Sequence, residues 1–216
     1  MRIASLFEDE DDLHLFAQVA RCLGLPDMEE KPTSLKGYDP PKLTKHLAIV
    51  AKTDWDRIVL VLDADRAPDG GPARRWKEVL DALRAVKIDI PANASTEDGL
   101  IHDLADGRRI AVWLFPDCRS EGAMEDFMLQ RLVPDGDALL GHAETVVDAL
   151  PEKRFPSKFT QKARMRSWLA WQARPGLPPG RAVSEKVLTV SEARLGTFAQ
   201  WLRSALGSPL AASRAR

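Results

Sequence analysis

The fold of this chain turns on the stretch Ile58-Val59-Leu60-Val61-Leu62-Asp63-Ala64-Asp65. Its five apolar residues run without alternation, as in a strand buried on both faces of a parallel sheet. Two carboxylates, Asp63 and Asp65, follow two residues apart. On an extended chain, residues i and i+2 point to the same side. Both would then leave the C-terminal edge of a central strand together, where open α/β sheets bind ligands. Like charges this close repel. A cation between them relieves the repulsion, and hard carboxylate oxygens suit Mg2+ or Mn2+. The alternative is that the pair only begins a turn and caps the next helix, since Asp is common just after strands.

Working outward, Ile3 to Phe7 reads as a first strand and not as a signal peptide, because Glu8-Asp9-Glu10-Asp11-Asp12 follows at once. Leu13, Phe16, Ala17, Ala20 and Leu23 then recur at helical spacing up to Gly24. The acidic run meets the positive end of that helix. This accounts for several of its carboxylates but not for Glu8, which precedes the helix. On the other side, Arg109 to Phe115 is a second strong strand, ending at Pro116-Asp117. The segment Arg119 to Leu129 starts as a turn and becomes a helix. Acidic residues therefore follow all three strands: Glu8, then Asp63 and Asp65, then Asp117. Glu125 and Asp126 come one helical turn later. In a parallel sheet these strand ends share one edge.

Between the strands, 25–40 reads as a loop with a short strand. A helix follows Pro40-Pro41 with Leu43, Leu47, Val50 and Ala51, and Arg66 to Pro72 is a polar loop. Ala73 to Val86 is a helix with Trp76, Val79, Leu80 and Leu83 on one face. Lys87 to Ile90 reads as a short strand and 91–107 as loop. Strands alternating with helices give an α/β fold with a mainly parallel sheet flanked by helices.

The character changes near Leu150, which divides the chain into an α/β domain, 1–150, and a basic helical C-terminal extension packing on it, 151–216. The extension holds 13 Lys+Arg and 3 Asp+Glu, a net +10; the first 150 residues hold the other 18 and 29, a net −11. The acidic part could hold cations and the basic part a polyanion, or the two could simply attract each other within or between chains. Ser157 could cap a helix carrying Phe159, Met165, Trp168, Leu169 and Trp171. Lys158, Lys162 and Arg166 form one basic stripe on it, facing phosphates or only solvent. Trp168 and Trp171 could stack bases but suit a core better. Pro178-Pro179-Gly180 reads as a linker. Leu195, Phe198, Leu202 and Leu206 mark a last helix with Thr189 and Glu192 as its capping box, and the tail frays from Ser208.

No apolar run approaches a membrane span. Cys22 and Cys118 form no CxxC pair or disulfide framework, which points to a reducing cytoplasm. His14, His46, His102 and His142 show no metal-ligand spacing.

With these residues in view, Glu8 followed by Asp63-Ala64-Asp65 at the end of a hydrophobic strand resembles the signature of the Toprim domain. That is the metal-binding α/β module of topoisomerases, primases, recombination proteins and OLD-type nucleases. Four further segments, in order, resemble a Toprim-like bacterial family known as a domain of unknown function. They are Val112-Trp113-Leu114-Phe115-Pro116-Asp117, Gly122-Ala123-Met124-Glu125-Asp126-Phe127, Lys162-Ala163 with Trp168 to Gln172, and Pro175-Gly176. The resemblance covers about residues 3 to 203. It implies that Glu8 is a metal ligand or general acid/base, that Asp63 and Asp65 bind metal, that Asp12 is the aspartate at the next helix, and that Glu125 helps hold a second metal. The chain departs from the pattern where the Toprim glutamate is usually followed by glycine: Asp9 stands there, adding charge and bulk against an approaching phosphate backbone.

The expected activity is a Mg2+- or Mn2+-dependent phosphodiester or phosphoryl-transfer reaction, foremost a nuclease on DNA or RNA. Its catalytic candidates are Glu8, Asp63, Asp65 and Lys162; its metal candidates are Glu8, Asp12, Asp63, Asp65, Asp117 and Glu125. Lys162 would offset developing charge. The alternative is a non-catalytic Toprim-like subunit that binds nucleic acid or a partner such as an ATPase in genome maintenance or phage defence. Homo-oligomerisation is open under either. A HAD-type phosphatase shares Asp-x-Asp but wants a Thr or Val soon after it, near the N-terminus; here Arg66-Ala67-Pro68 follows.

Overall fold

The apolar run is β3 (Arg57–Asp63), the central strand of a five-stranded sheet, in a computed structural model that describes residues 1–26 and 32–207. β1 (Ile3–Phe7) and β5 (Arg109–Phe115) flank it in parallel. β2 (Thr33–Ser34) and β4 (Leu100–Asp103) form the edges, giving the order β2-β1-β3-β5-β4 with only the β4–β5 pair antiparallel. Ile58 to Leu62 are fully buried, so the missing alternation reflects cover on both faces.

Right-handed crossovers place the helices. The step from β1 to β2 runs one way across the sheet through α1 (Glu10–Cys22). The steps to β3 and β5 run the other way through α2 (Pro40–Val50) and α3 (Pro72–Ala85). So α1 lies on one face and α2 with α3 on the other. The α1 face is completed by α9 (Thr197–Leu206) through a cluster of rings. Phe7 meets Phe16 at 5.1 Å and Trp113 meets Phe198 at 4.9 Å, both edge-on, a geometry each pair favours by about 0.5–1.5 kcal/mol beyond its buried area. Register sets which side chains join this face: Phe7, Val61 and Trp113 are paired, and Asp63 is paired with Phe115 one step on. Asp63 therefore points to the α1 side.

The rest of the chain is α4 (Met124–Arg131), α5 (Ala138–Asp148), a 3-10 turn (Ser157–Phe159), α6 (Thr160–Ala170), α7 (Pro179–Ser184) and α8 (Glu192–Leu195). Met165, Trp168 and Leu169 of α6 share one apolar core with the sheet. Trp168 also donates from Nε1 to Asp137 Oδ1, at 3.1 Å. Trp171 is partly exposed beside His142.

Several expectations need correction. Lys87 to Ile90 is not a strand: Lys87 has φ +63, and the chain then buries Ile88 from a loop. A strand, β4, lies instead within 91–107. Its turn signal was Asp106-Gly107, where Gly107 has φ +88 and Leu104 N–H donates to the Arg108 carbonyl at 2.7 Å. The helix α5 occupies a region given no element. Ser157 makes no side-chain cap. The last helix is two, parted at Gly196 with φ +57, and Ser191, not Thr189, caps α8. The loop residues 27–31 and the tail from Ser208 lie outside the described residues.

Pro178-Pro179-Gly180 is not a linker but the start of α7, which packs on α1. A Cβ on Gly180 would stand 2.8 Å from His14 Cβ and 2.9 Å from its carbonyl oxygen. Gly180→Ala must push α7 off α1. The expected cost is about 1–3 kcal/mol, seen as a lower urea midpoint with an unchanged slope.

Among the described residues no helix is long and apolar enough to cross a membrane. Cys22 and Cys118 are both free thiols.

Candidate functional site

The C-terminal ends of β1 and β3 bring Glu8 and Asp63 together. Glu8 Oε2 accepts the Asp63 N–H at 3.2 Å. Asp63 Oδ1 accepts the Met124 N–H at 2.9 Å, at the first residue of α4, whose positive end favours a carboxylate. Yet neither acid is at ease. Burial first, and the Asp65 charge second, push Glu8 up to about 7. Burial, followed by the charges of Asp12, Glu8, Glu125 and Asp65, holds Asp63 well above the usual carboxylate range. Asp12 is buried in α1 and is raised by burial and then by Asp9. Its Oδ2 accepts the Asp9 N–H at 3.0 Å, while Asp9 Oδ1 accepts the N–H groups of Asp11 and Asp12. Asp9 is thus the N-cap of α1.

Asp63 and Asp65 do not point the same way. The strand ends at Asp63, and Asp65 takes φ +60, a left-handed conformation that Asp tolerates better than most residues. Its backbone pairs with Gly122 in both directions, at 2.8 and 3.0 Å. Its carboxylate turns to Arg75 of α3, with Oδ2 2.5 Å from Nη2. Arg75 is only 3% exposed; its Nε also donates to the Asp63 carbonyl, and its guanidinium lies 3.3 Å from the Tyr38 ring centroid. The loop after Asp65 folds back so tightly that a Cβ on Gly70 would meet Asp65 Cβ at 2.3 Å.

The third wall comes from α4 and α6. Glu125 is 6% exposed. Lys162 Nζ stands 3.1 Å from its Oε1, an ion pair across the cleft. Asp126 accepts the Ala123 N–H and holds Arg66 at 2.5 Å. The basic stripe faces the acidic edge: Lys158 stands 3.9 Å from Asp69, Lys162 reaches Glu125, and Arg166 reaches Asp11 at 2.5 Å. Between these walls is a cleft of about 140 Å³ lined by Glu8, Asp63, Asp65, Glu125, Lys158, Phe159 and Lys162, among others. That is room for several waters or a phosphate group.

A model matching residues 6–207 defines the family described as "Protein of unknown function (DUF3226)". The chain belongs to that family. The match runs from β1 to the end of α9, so the DUF3226 region takes in the sheet, the cleft and the basic stripe together. No curated protein and no solved structure matches the chain.

Of the residues singled out from sequence, the cleft gathers Glu8, Asp63, Asp65, Glu125 and Lys162, with Asp12 behind them in electrostatic contact. It leaves out Asp117, whose carboxylate is spent on its own turn, accepting the N–H groups of Arg119 and Ser120 and the Ser120 hydroxyl. The carboxylates are the right chemistry for a hard divalent ion. Among the described residues, however, no three acidic, His or Cys side chains are placed to hold one as they stand. Arg75 draws Asp65 aside and Lys162 draws Glu125, so convergence requires those ion pairs to open. Arg66, Arg75 and Phe159 were missed as site residues. Arg75 sits in a helix whose pattern names only its apolar face, and Phe159 was assigned to the apolar side of α6.

Proposed function

We propose that the cleft is a divalent-cation-assisted phosphoryl-transfer site, foremost a Toprim-like nuclease acting on nucleic acid. The observation that supports it is the meeting of Glu8, Asp63 and Glu125 around one cleft at the sheet edge. Burial first, and the surplus negative charge there second, keep Glu8 and Asp63 raised. Glu8, Asp63 and Glu125 would hold Mg2+ or Mn2+, with Asp65 and Asp12 behind. Bound there, the ion would activate water and stabilise the leaving oxygen of an in-line displacement. Glu8, pushed up to about 7 in the metal-free cleft, would serve either as a ligand to the ion or, standing off it, as the general acid/base. Lys162 and Lys158 face an incoming phosphate and offset its charge.

The test is calorimetric titration of Mn2+ into the wild type and an Asp63→Ala, Asp65→Ala double variant, followed by nucleotide release from DNA and RNA. Heat and release in the wild type alone are expected. A wild type that binds neither Mn2+ nor Mg2+, with or without oligonucleotide, overturns the proposal. The ion pairs that hold Asp65 and Glu125 apart favour a second reading, a non-catalytic Toprim-like subunit that binds nucleic acid or an ATPase partner. It requires co-elution with that partner and no nucleotide release.

A further inference from the structure

Phe159 is placed where a core residue would not be. It is 43% exposed, ends the 3-10 turn before α6, and lines the mouth of the cleft. No other aromatic ring among the described residues packs on it. Its neighbours on the rim are cations: Lys158 Nζ lies 5.5 Å from its ring centroid, and Lys162 is one turn along the helix. Lys158 is weakly engaged, since its partner Asp69 is 3.9 Å away and both side chains are more than half exposed. The cleft thus has an acidic floor and a rim that carries cations and one bare ring on the same short stretch of chain.

We propose that Phe159 is a stacking platform for an unpaired nucleobase, so that the site takes a single-stranded nucleic acid and not an intact duplex. The argument rests on the proposed function for the presence of nucleic acid and adds the substrate's form. Lys158 and Lys162 match the phosphate charge. A phosphate held between these cations and the cleft floor leaves its base free to lie against the exposed Phe159 ring, which lines the same cleft. In a duplex the base faces are already stacked within the helix; in a single strand they are free to meet an aromatic side chain. Gln161, also at the cleft wall, adds an amide for contact with sugar or base.

The experiment is fluorescence-anisotropy titration of an oligothymidylate and of a duplex of equal length, in Ca2+ to hold substrate without turnover. It compares the wild type, Phe159→Ala and Phe159→Trp, with Mn2+ calorimetry on each protein. Phe159 is exposed, so neither variant threatens folding. The wild type is expected to prefer the single strand. Phe159→Ala should bind it roughly tenfold or more weakly, Phe159→Trp should keep the affinity, and all three should give the same Mn2+ heat. Equal binding by Phe159→Ala and wild type, or a wild-type preference for duplex, overturns the stacking role while the metal site stands. Mn2+ heat with no binding of either oligonucleotide overturns the stacking proposal and the nucleic-acid part of the proposed function. No Mn2+ heat in the wild type, alone or with the oligothymidylate bound, with single-strand preference intact overturns the metal site but not the platform.

Discussion

Asp63→Asn raises the melting temperature of the metal-free protein and abolishes its divalent-cation binding. The substitution keeps the oxygen that accepts the Met124 N–H. It replaces the other oxygen with a donor and removes a charge that burial first, and the charges of Asp12, Glu8 and Glu125 next, disfavour. A mutation that normally costs stability removes repulsion here. The expected result is a higher melting temperature at neutral pH, because the folded protein holds this carboxyl above its ordinary range while the unfolded chain does not. The pH dependence has the matching sign. Glu8 has a folded pKa of about 7 against an ordinary 4.5. Between those values the folded state holds a proton that the unfolded state has lost, so stability falls as pH rises through this window and is lowest above it. Asp12 and Asp63, both raised, add to the same slope. Thermal melts at pH 5, 7 and 8.5 check this: the wild type should be most stable at pH 5, and Asp63→Asn should flatten the curve. Added Mn2+ should raise the wild-type melting temperature by mass action and leave the variant unmoved.

That behaviour shows why part of the site was legible in the sequence and part was not. A parallel sheet sends every strand end to one edge, so acidic residues just after buried apolar runs had to meet. Glu8 and Asp63 could be placed together for that reason, without coordinates. Asp117 obeyed the same rule by position but was claimed by its own turn, because an Asp two or three residues before free N–H groups caps them locally. The assumption that Asp63 and Asp65 point the same way failed at the strand end: side-chain period is a property of extended chain, and Asp65 has left it. The edge strand β4 was lost among polar residues because four residues carry too little period to read. Basic residues counted as a charge excess became partners only in three dimensions. Nothing in the spacing of Lys158, Lys162 and Arg166 names Asp69, Glu125 and Asp11.

Arg75→Met has the opposite sign. Arg75 is the buried counter-charge behind Asp65, beside Arg66 on Asp126 and Lys162 on Glu125. It ties Asp65 by charge, the Asp63 carbonyl by Nε and Tyr38 by stacking, and Nη1 lies 3.5 Å from Glu78, which also accepts the Tyr38 hydroxyl at 3.0 Å. Removing one partner of a fully buried pair costs about 3–5 kcal/mol. Asp65 is 45% exposed and can hydrate, which lowers the expectation to about 2–3 kcal/mol. Arg75→Lys should recover only part of it, because an ammonium lacks the planar fork that reaches Asp65 and the Asp63 carbonyl at once. Urea denaturation of the metal-free proteins measures both. The pair of opposite signs is the decisive electrostatic statement about this cleft: taking away negative charge stabilises it, and taking away positive charge does the reverse. If Arg75→Met leaves the urea midpoint where it was, the cleft is not short of positive charge, and the physical case for a cation there falls with it.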